Sequence, residues 1–154
     1  MRDVTLPALR SSLSADEYAR IVRWWEDVFT DDTLRNTTPV LCHGDLWYEN
    51  ILIDPNTAEL VGVVDFENAA LADPAQDFAT QMHLSRRFTA RIIAAYRTAG
   101  GALGPCFPLR LRRHWELREL DGLYFALQAG DAAKTADAIR KLRHGPIFTH
   151  AASQ

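Results

Sequence analysis

Two cysteines, Cys42 and Cys106, are all that the chain contains, and they stand in neither a paired nor a metal-ligating pattern. Both are therefore expected to be reduced thiols, which excludes a disulfide scaffold or a zinc framework. Long hydrophobic runs are also missing. Residues 1–16 hold no apolar stretch of signal-sequence length, and no later segment approaches the roughly 20 residues of a membrane span. A cytoplasmic location is the expectation. A basic excess is lacking too: 17 Lys and Arg stand against 20 Asp and Glu, a formal charge of −3. Such a balance gives nothing to track a nucleic-acid backbone or an anionic membrane, so neither partner is expected. There is no internal repeat and no low-complexity segment. What remains, 47% hydrophobic and 24% charged over 154 residues, is the composition of a single globular domain with a sizeable core.

The order of patterns along the chain predicts a mainly helical α+β fold. Ser14-Ala15-Asp16-Glu17 reads as a capping box, and Tyr18, Ile21, Val22, Trp25 and Phe29 follow at helical spacing, predicting a helix over 14–29. Trp24 lies off that stripe and is expected at the surface. Val40-Leu41-Cys42 reads as a short strand. Ile51-Leu52-Ile53 and Leu60 to Val64, separated by the turn-rich Asp54-Pro55-Asn56-Thr57, read as a β-hairpin. Asp73-Pro74 places a cap and a first-turn proline before a helix reaching about Leu84. Further helices are predicted from about Arg86 to Gly100, over 109–129, and from the cap Asp131 to Gly145-Pro146.

Polar residues crowd between two apolar strands in Leu41-Cys42-His43-Gly44-Asp45-Leu46-Trp47-Tyr48-Glu49-Asn50-Ile51-Leu52. His43, Asp45 and Asn50 have the spacing His-x-Asp-x-x-x-x-Asn of a phosphotransferase catalytic loop, where Asp receives a hydroxyl proton and Asn binds magnesium. The plainer reading is a tight turn in which Asp and Asn cap backbone groups. Asp65 follows fifteen residues after Asn50. If Asp54 pairs opposite Leu60, antiparallel counting sets Asn50 opposite Val64 and beside Asp65. Oxygen side chains then converge at the hairpin's open end, a donor set suited to Mg2+.

Val40 to Leu52, Val63-Val64-Asp65-Phe66 and Asp73-Pro74-Ala75-Gln76-Asp77-Phe78-Ala79 together resemble the C-terminal lobe of the aminoglycoside phosphotransferase and choline kinase superfamily. The three blocks come in the right order, and the resemblance covers most of residues 35–145. It implies a protein-kinase-like C-terminal lobe in which a small β-hairpin carries the catalytic loop. It also implies ATP or GTP as co-substrate, Mg2+ as cofactor and a small-molecule hydroxyl as acceptor. Asp45 would then be the catalytic base, with His43 supporting the loop. Asn50 and Asp65 would bind magnesium, and Asp77 would brace the loop by accepting backbone hydrogen bonds. Trp47, Tyr48 and Glu67 would be possible substrate contacts; Glu67 stands where protein kinases have glycine.

One departure is large. The first glycine is Gly44 and the first lysine is Lys134, so nothing before the catalytic loop forms a glycine-rich phosphate cover or a nucleotide-clamping lysine. The expectation is that residues 1–154 form one lobe without the nucleotide-binding N-terminal lobe, weak or inactive by itself. Rival readings are a non-catalytic module that binds a small molecule or a partner, and half of a split kinase completed in trans or by self-association. Glu116, Glu119, Asp121 and Asp131 lie where substrate-binding helices of the superfamily would be and would suit a cationic substrate, yet most of them read as solvated helix faces. His83, His114, His144 and His150 show no ligand spacing.

Overall fold

A computed structural model describes residues 1–35 and 37–149, with the side chain of Thr33 left out; the reading of His150 lies outside them. Among these residues the fold is mainly helical with two small antiparallel sheets. No helix among them is long and apolar enough to cross a membrane. Backbone contacts divide the chain into two compact units, Met1–Arg35 with Trp115–Gln154, and Asn36–His114.

The first unit is helical. α1 (Arg2–Arg10) precedes α2 (Ala15–Thr30). α2 starts at a complete capping box: Ser14 Oγ accepts the Glu17 N–H at 3.2 Å, and Glu17 Oε2 accepts the Ser14 N–H at 2.8 Å, satisfying two donors that helix geometry leaves open. α5 (Phe107–Gln128) contributes its C-terminal part, followed by α6 (Ala132–His144) and α7 (Pro146–Thr149). Asp131 Oδ1 caps α6 by accepting the Lys134 N–H at 2.9 Å. Leu9, Ile21, Trp24, Trp25, Leu120, Leu123, Ala138, Leu142 and Ile147 form the core of this unit.

Two expectations are corrected here. Trp24 is buried, and its Nε1–H donates to Glu116 Oε2 at 2.8 Å, while Phe29 is the exposed residue of the stripe. The buried face of α2 is thus rotated toward Trp24, because a buried carboxylate is there to receive the indole proton. For the same reason Glu116 is a core residue, not a solvated one.

The second unit carries both sheets. β1 (Val40–Cys42) pairs with β4 (Ala70–Ala72), and β2 (Ile51–Ile53) pairs with β3 (Leu60–Val63). α3 (Ala75–Gln81) and α4 (Arg86–Thr98) follow; Ser85 Oγ caps α4 by accepting the Phe88 N–H at 3.0 Å. Ala75, Phe78, Leu103 and Phe107 make the core, with Ile92, Ile93, Tyr96 and Leu111 packed against it. The Phe78 ring meets Tyr96 and Phe107 edge-on at 5.3 and 5.7 Å. The short α3 buries Phe78 and turns Asp77, Thr80 and Gln81 to the loop after β1.

Candidate active site

The chain leaves β1 at Cys42 and turns sharply at Gly44, whose φ is +83°. A Cβ there would stand 2.2 Å from the carbonyl oxygen of Asn68, so both the conformation and the space require glycine. Side chains of α3 then hold the loop's backbone. Asp77 Oδ2 accepts the His43 N–H at 2.7 Å and its Oδ1 accepts the Gly44 N–H at 2.9 Å, two charge-assisted bonds from one carboxylate. Two residues on, the Leu46 carbonyl accepts from Thr80 Oγ1 at 2.7 Å and from Gln81 Nε2.

His43 is buried and bonded at both ring nitrogens. Asp45 N–H donates to Nδ1 at 3.3 Å, which makes Nε2 the protonated nitrogen, and Nε2–H donates to the Val64 carbonyl at 2.8 Å. The ring therefore links the loop to the residue before Asp65, with the Phe66 ring 4.5 Å away. Asp45's carbonyl accepts from Trp47 N–H at 2.7 Å and Asn50 Nδ2 at 2.9 Å. The N–H and the carbonyl of Asp45 are thus both bonded, which fixes its backbone.

That bond commits the Asn50 nitrogen and leaves its amide oxygen for other use. The hairpin register pairs Ile51 with Val63 and Leu52 with Gly62, and Val64 N–H donates to the Asn50 carbonyl at 3.0 Å. Asn50 thus lies opposite Val64, beside Asp65, whose φ of +67° bends the chain away from the strand. Asp is one of the few residues that adopt this region readily. No group of three His, Cys, Asp or Glu side chains among the described residues could hold a metal. The register sets Asn50 and Asp65 at adjacent positions, and both carry oxygen side chains, the donor type that Mg2+ prefers.

Trp47 is half-buried, with ring centroids 5.1 Å from Tyr48 and 5.4 Å from His83. Tyr48 is half exposed, its hydroxyl 3.4 Å from Glu49 Oε1, and Glu67 is exposed.

Sequence reasoning missed a buried charge cluster behind α3. Asp73, expected only as a helix cap, does accept the Ala75 N–H at 3.0 Å. It also accepts Arg110 Nε at 2.6 Å and lies 3.4 Å from His114 Nε2. Burial pushes the Asp73 carboxyl up, but the bonds from His114, Arg110 and Ala75 outweigh it and hold the group down at about 2. Arg110 is fully buried. Arg110 stands beside Arg112 and Arg113 in the same stretch of α5, so the sequence held no signal that singled it out. At the end of β1, burial and the Asp77 charge push the Cys42 thiol up to about 11. In the first unit, burial raises the Glu119 carboxyl.

Comparison with known proteins adds independent findings. The profile of the family described as "phosphotransferase enzyme family" matches residues 5–116. An uncharacterised Bacillus subtilis protein, YcbJ, is 38% identical over 80 residues, which are 51% of this chain and 26% of that protein. The GDP complex of aminoglycoside 2'-phosphotransferase-IIIa superposes with a TM-score of 0.71 at 23% identity, over 87% of this chain and 45% of the other. Macrolide 2'-phosphotransferase type I gives 0.68 at 27% identity, over 89% of this chain and 45% of the other. The chain spans less than half the length of these two structures.

Proposed function

The chain belongs to the phosphotransferase enzyme family, and from that premise we propose that it is the catalytic part of a kinase that moves the γ-phosphoryl group of ATP or GTP to a hydroxyl of a small molecule. The register that sets Asn50 opposite Val64, next to Asp65 and bonded to the Asp45 backbone, carries this reading. Asp45 accepts the proton of the acceptor hydroxyl as its oxygen forms the bond to phosphorus and the nucleoside diphosphate leaves. Asn50 and Asp65 hold Mg2+, which supplies charge neutralisation on the triphosphate. His43 and Asp77 keep the loop in place. Exposed Tyr48 and Glu67, with the ring of Trp47, lie within three residues of these groups in sequence and are proposed to meet the acceptor. Aminoglycosides and macrolides, the substrates named for the matched structures, are the first acceptors to test.

A second reading is completion in trans. Leu41, Ile53, Leu60, Val61 and Leu71 are more than half exposed on the short strands, and apolar patches of this kind mark contact surfaces. With no glycine before Gly44 and no lysine before Lys134, the phosphate cover is assigned to a separate segment or chain seated there.

The metal assignment is tested on this chain directly. Mn2+ in place of Mg2+ is expected to broaden the amide signals around Asn50 and Asp65, and to leave them sharp in Asp65→Ala. Unbroadened signals at those residues in the wild type, with ATP and GTP present, would sink it. Phosphate transfer to an aminoglycoside or macrolide hydroxyl, lost in Asp45→Asn, then tests the reaction.

A further inference from the structure

α3 has only seven residues, too few to be a stable helix by itself, yet it presents Asp77, Thr80 and Gln81 to the catalytic loop. Its position has to be fixed from outside. Phe78 anchors its middle. Its start is fixed by one guanidinium: Arg110 Nε donates to Asp73 Oδ2 at 2.6 Å and its NH2 group reaches Asp73 Oδ1 at 3.3 Å, while the same side chain also donates to the carbonyls of Leu103 and Pro105. Asp73 in turn takes the Ala75 N–H and meets His114 from α5. Three chain segments, the entry to α3, the 103–105 loop and the first turns of α5, meet on a fully buried Arg110.

We propose that the buried Asp73–Arg110 pair is a positioning device for the catalytic loop: it sets the first turn of α3 so that Asp77, four residues on, meets the His43 and Gly44 N–H groups. The pair bonds to none of Asp45, Asn50 and Asp65. A fork that ties two oxygens of one carboxylate and two carbonyls fixes direction as well as distance, which an apolar contact in its place would not. The inference rests on the proposed function only in naming the loop catalytic; the geometry it concerns is independent of any activity.

The test is residue-resolved amide hydrogen exchange on the whole chain. A double variant, Asp73→Asn with Arg110→Met, removes both charges at similar volume, an exchange that buried ion pairs tolerate more readily than loss of one partner. The expected result is roughly tenfold faster exchange of the His43 and Gly44 amides with the Val64 amide, bonded to Asn50 across the hairpin, unchanged. Arg110→Lys, which keeps the charge and loses the fork, is the milder variant should the first not fold, and is expected to move the same two amides by a smaller factor. Asp77→Asn must speed both amides in either background. Unchanged His43 and Gly44 exchange in a folded variant overturns the proposal, and so does a uniform rise that includes Val64, which would reduce the pair to general stability. No nucleotide enters the measurement, so a failed activity assay leaves its outcome standing.

Discussion

At the scale of single residues, the loop after β1 leaves almost no freedom. Gly44→Ala adds a Cβ 2.2 Å from the Asn68 carbonyl oxygen at a φ of +83°. It is expected to destabilise the chain by about 2–4 kcal/mol in urea denaturation, whereas Gly62→Ala, with no atom within 4 Å of the new carbon, avoids that clash. The two thiols separate just as sharply. Cys106 is exposed and Cys42 is buried with its thiol raised to about 11, so a thiol reagent at pH 8 should label Cys106 alone until the protein is unfolded; early labelling of Cys42 would contradict the structure. Short-range structure of this kind was legible in the sequence: the capping box forms as read, and the turn that brings the Asn50 amide to the Asp45 carbonyl spans only five residues. Trp24 was misread because its partner, Glu116, lies 92 positions away, beyond the reach of helical periodicity.

Elements report a mixture of local and distant causes. Ser14→Ala removes one half of the α2 capping box and is expected to cost about 1 kcal/mol in thermal denaturation. The Asp73 carboxyl at the head of α3 stabilises through its depressed titration, about 2 against an ordinary 3.8. That contribution is complete above pH 4 and fades as pH falls through 2. It amounts to about 2 kcal/mol, so the stability gap between wild type and Asp73→Asn should narrow by that much from pH 7 to pH 2; a constant gap would refute it. The hairpin shows how a sequence-based register can succeed at one end and miss at the other. Asp54 N–H bonds the Glu59 carbonyl and Ile53 pairs with Leu60, one residue from the counted alignment, and an irregularity between Leu52 and Ile53 restores it before Asn50. β4 escaped notice because Ala70-Leu71-Ala72 is too short to announce a strand, and its partner β1 lies 28 or more residues earlier. α1 went unread because it has only nine residues and Pro7 stands inside it.

For the whole molecule, two separate cores and two two-stranded sheets define what is exposed. Leu41 and Leu71 form a cross-strand pair with both side chains about three-quarters exposed, and both sheets have open edges. Open edges carrying apolar side chains favour association. Sedimentation should therefore record concentration-dependent assembly that Leu60→Lys with Leu71→Lys suppresses without shifting the melting temperature; a chain that stays monomeric at high concentration would contradict this. The division of the fold has an optical corollary. Of the four tryptophans, Trp24, Trp25 and Trp115 belong to the helical unit, and Trp47, between Asp45 and Asn50, is the one in the other. With the first three replaced by phenylalanine, the chain's tryptophan emission would come from a single indole against the His83 imidazole, and its colour and lifetime would follow this loop directly, with no dye attached.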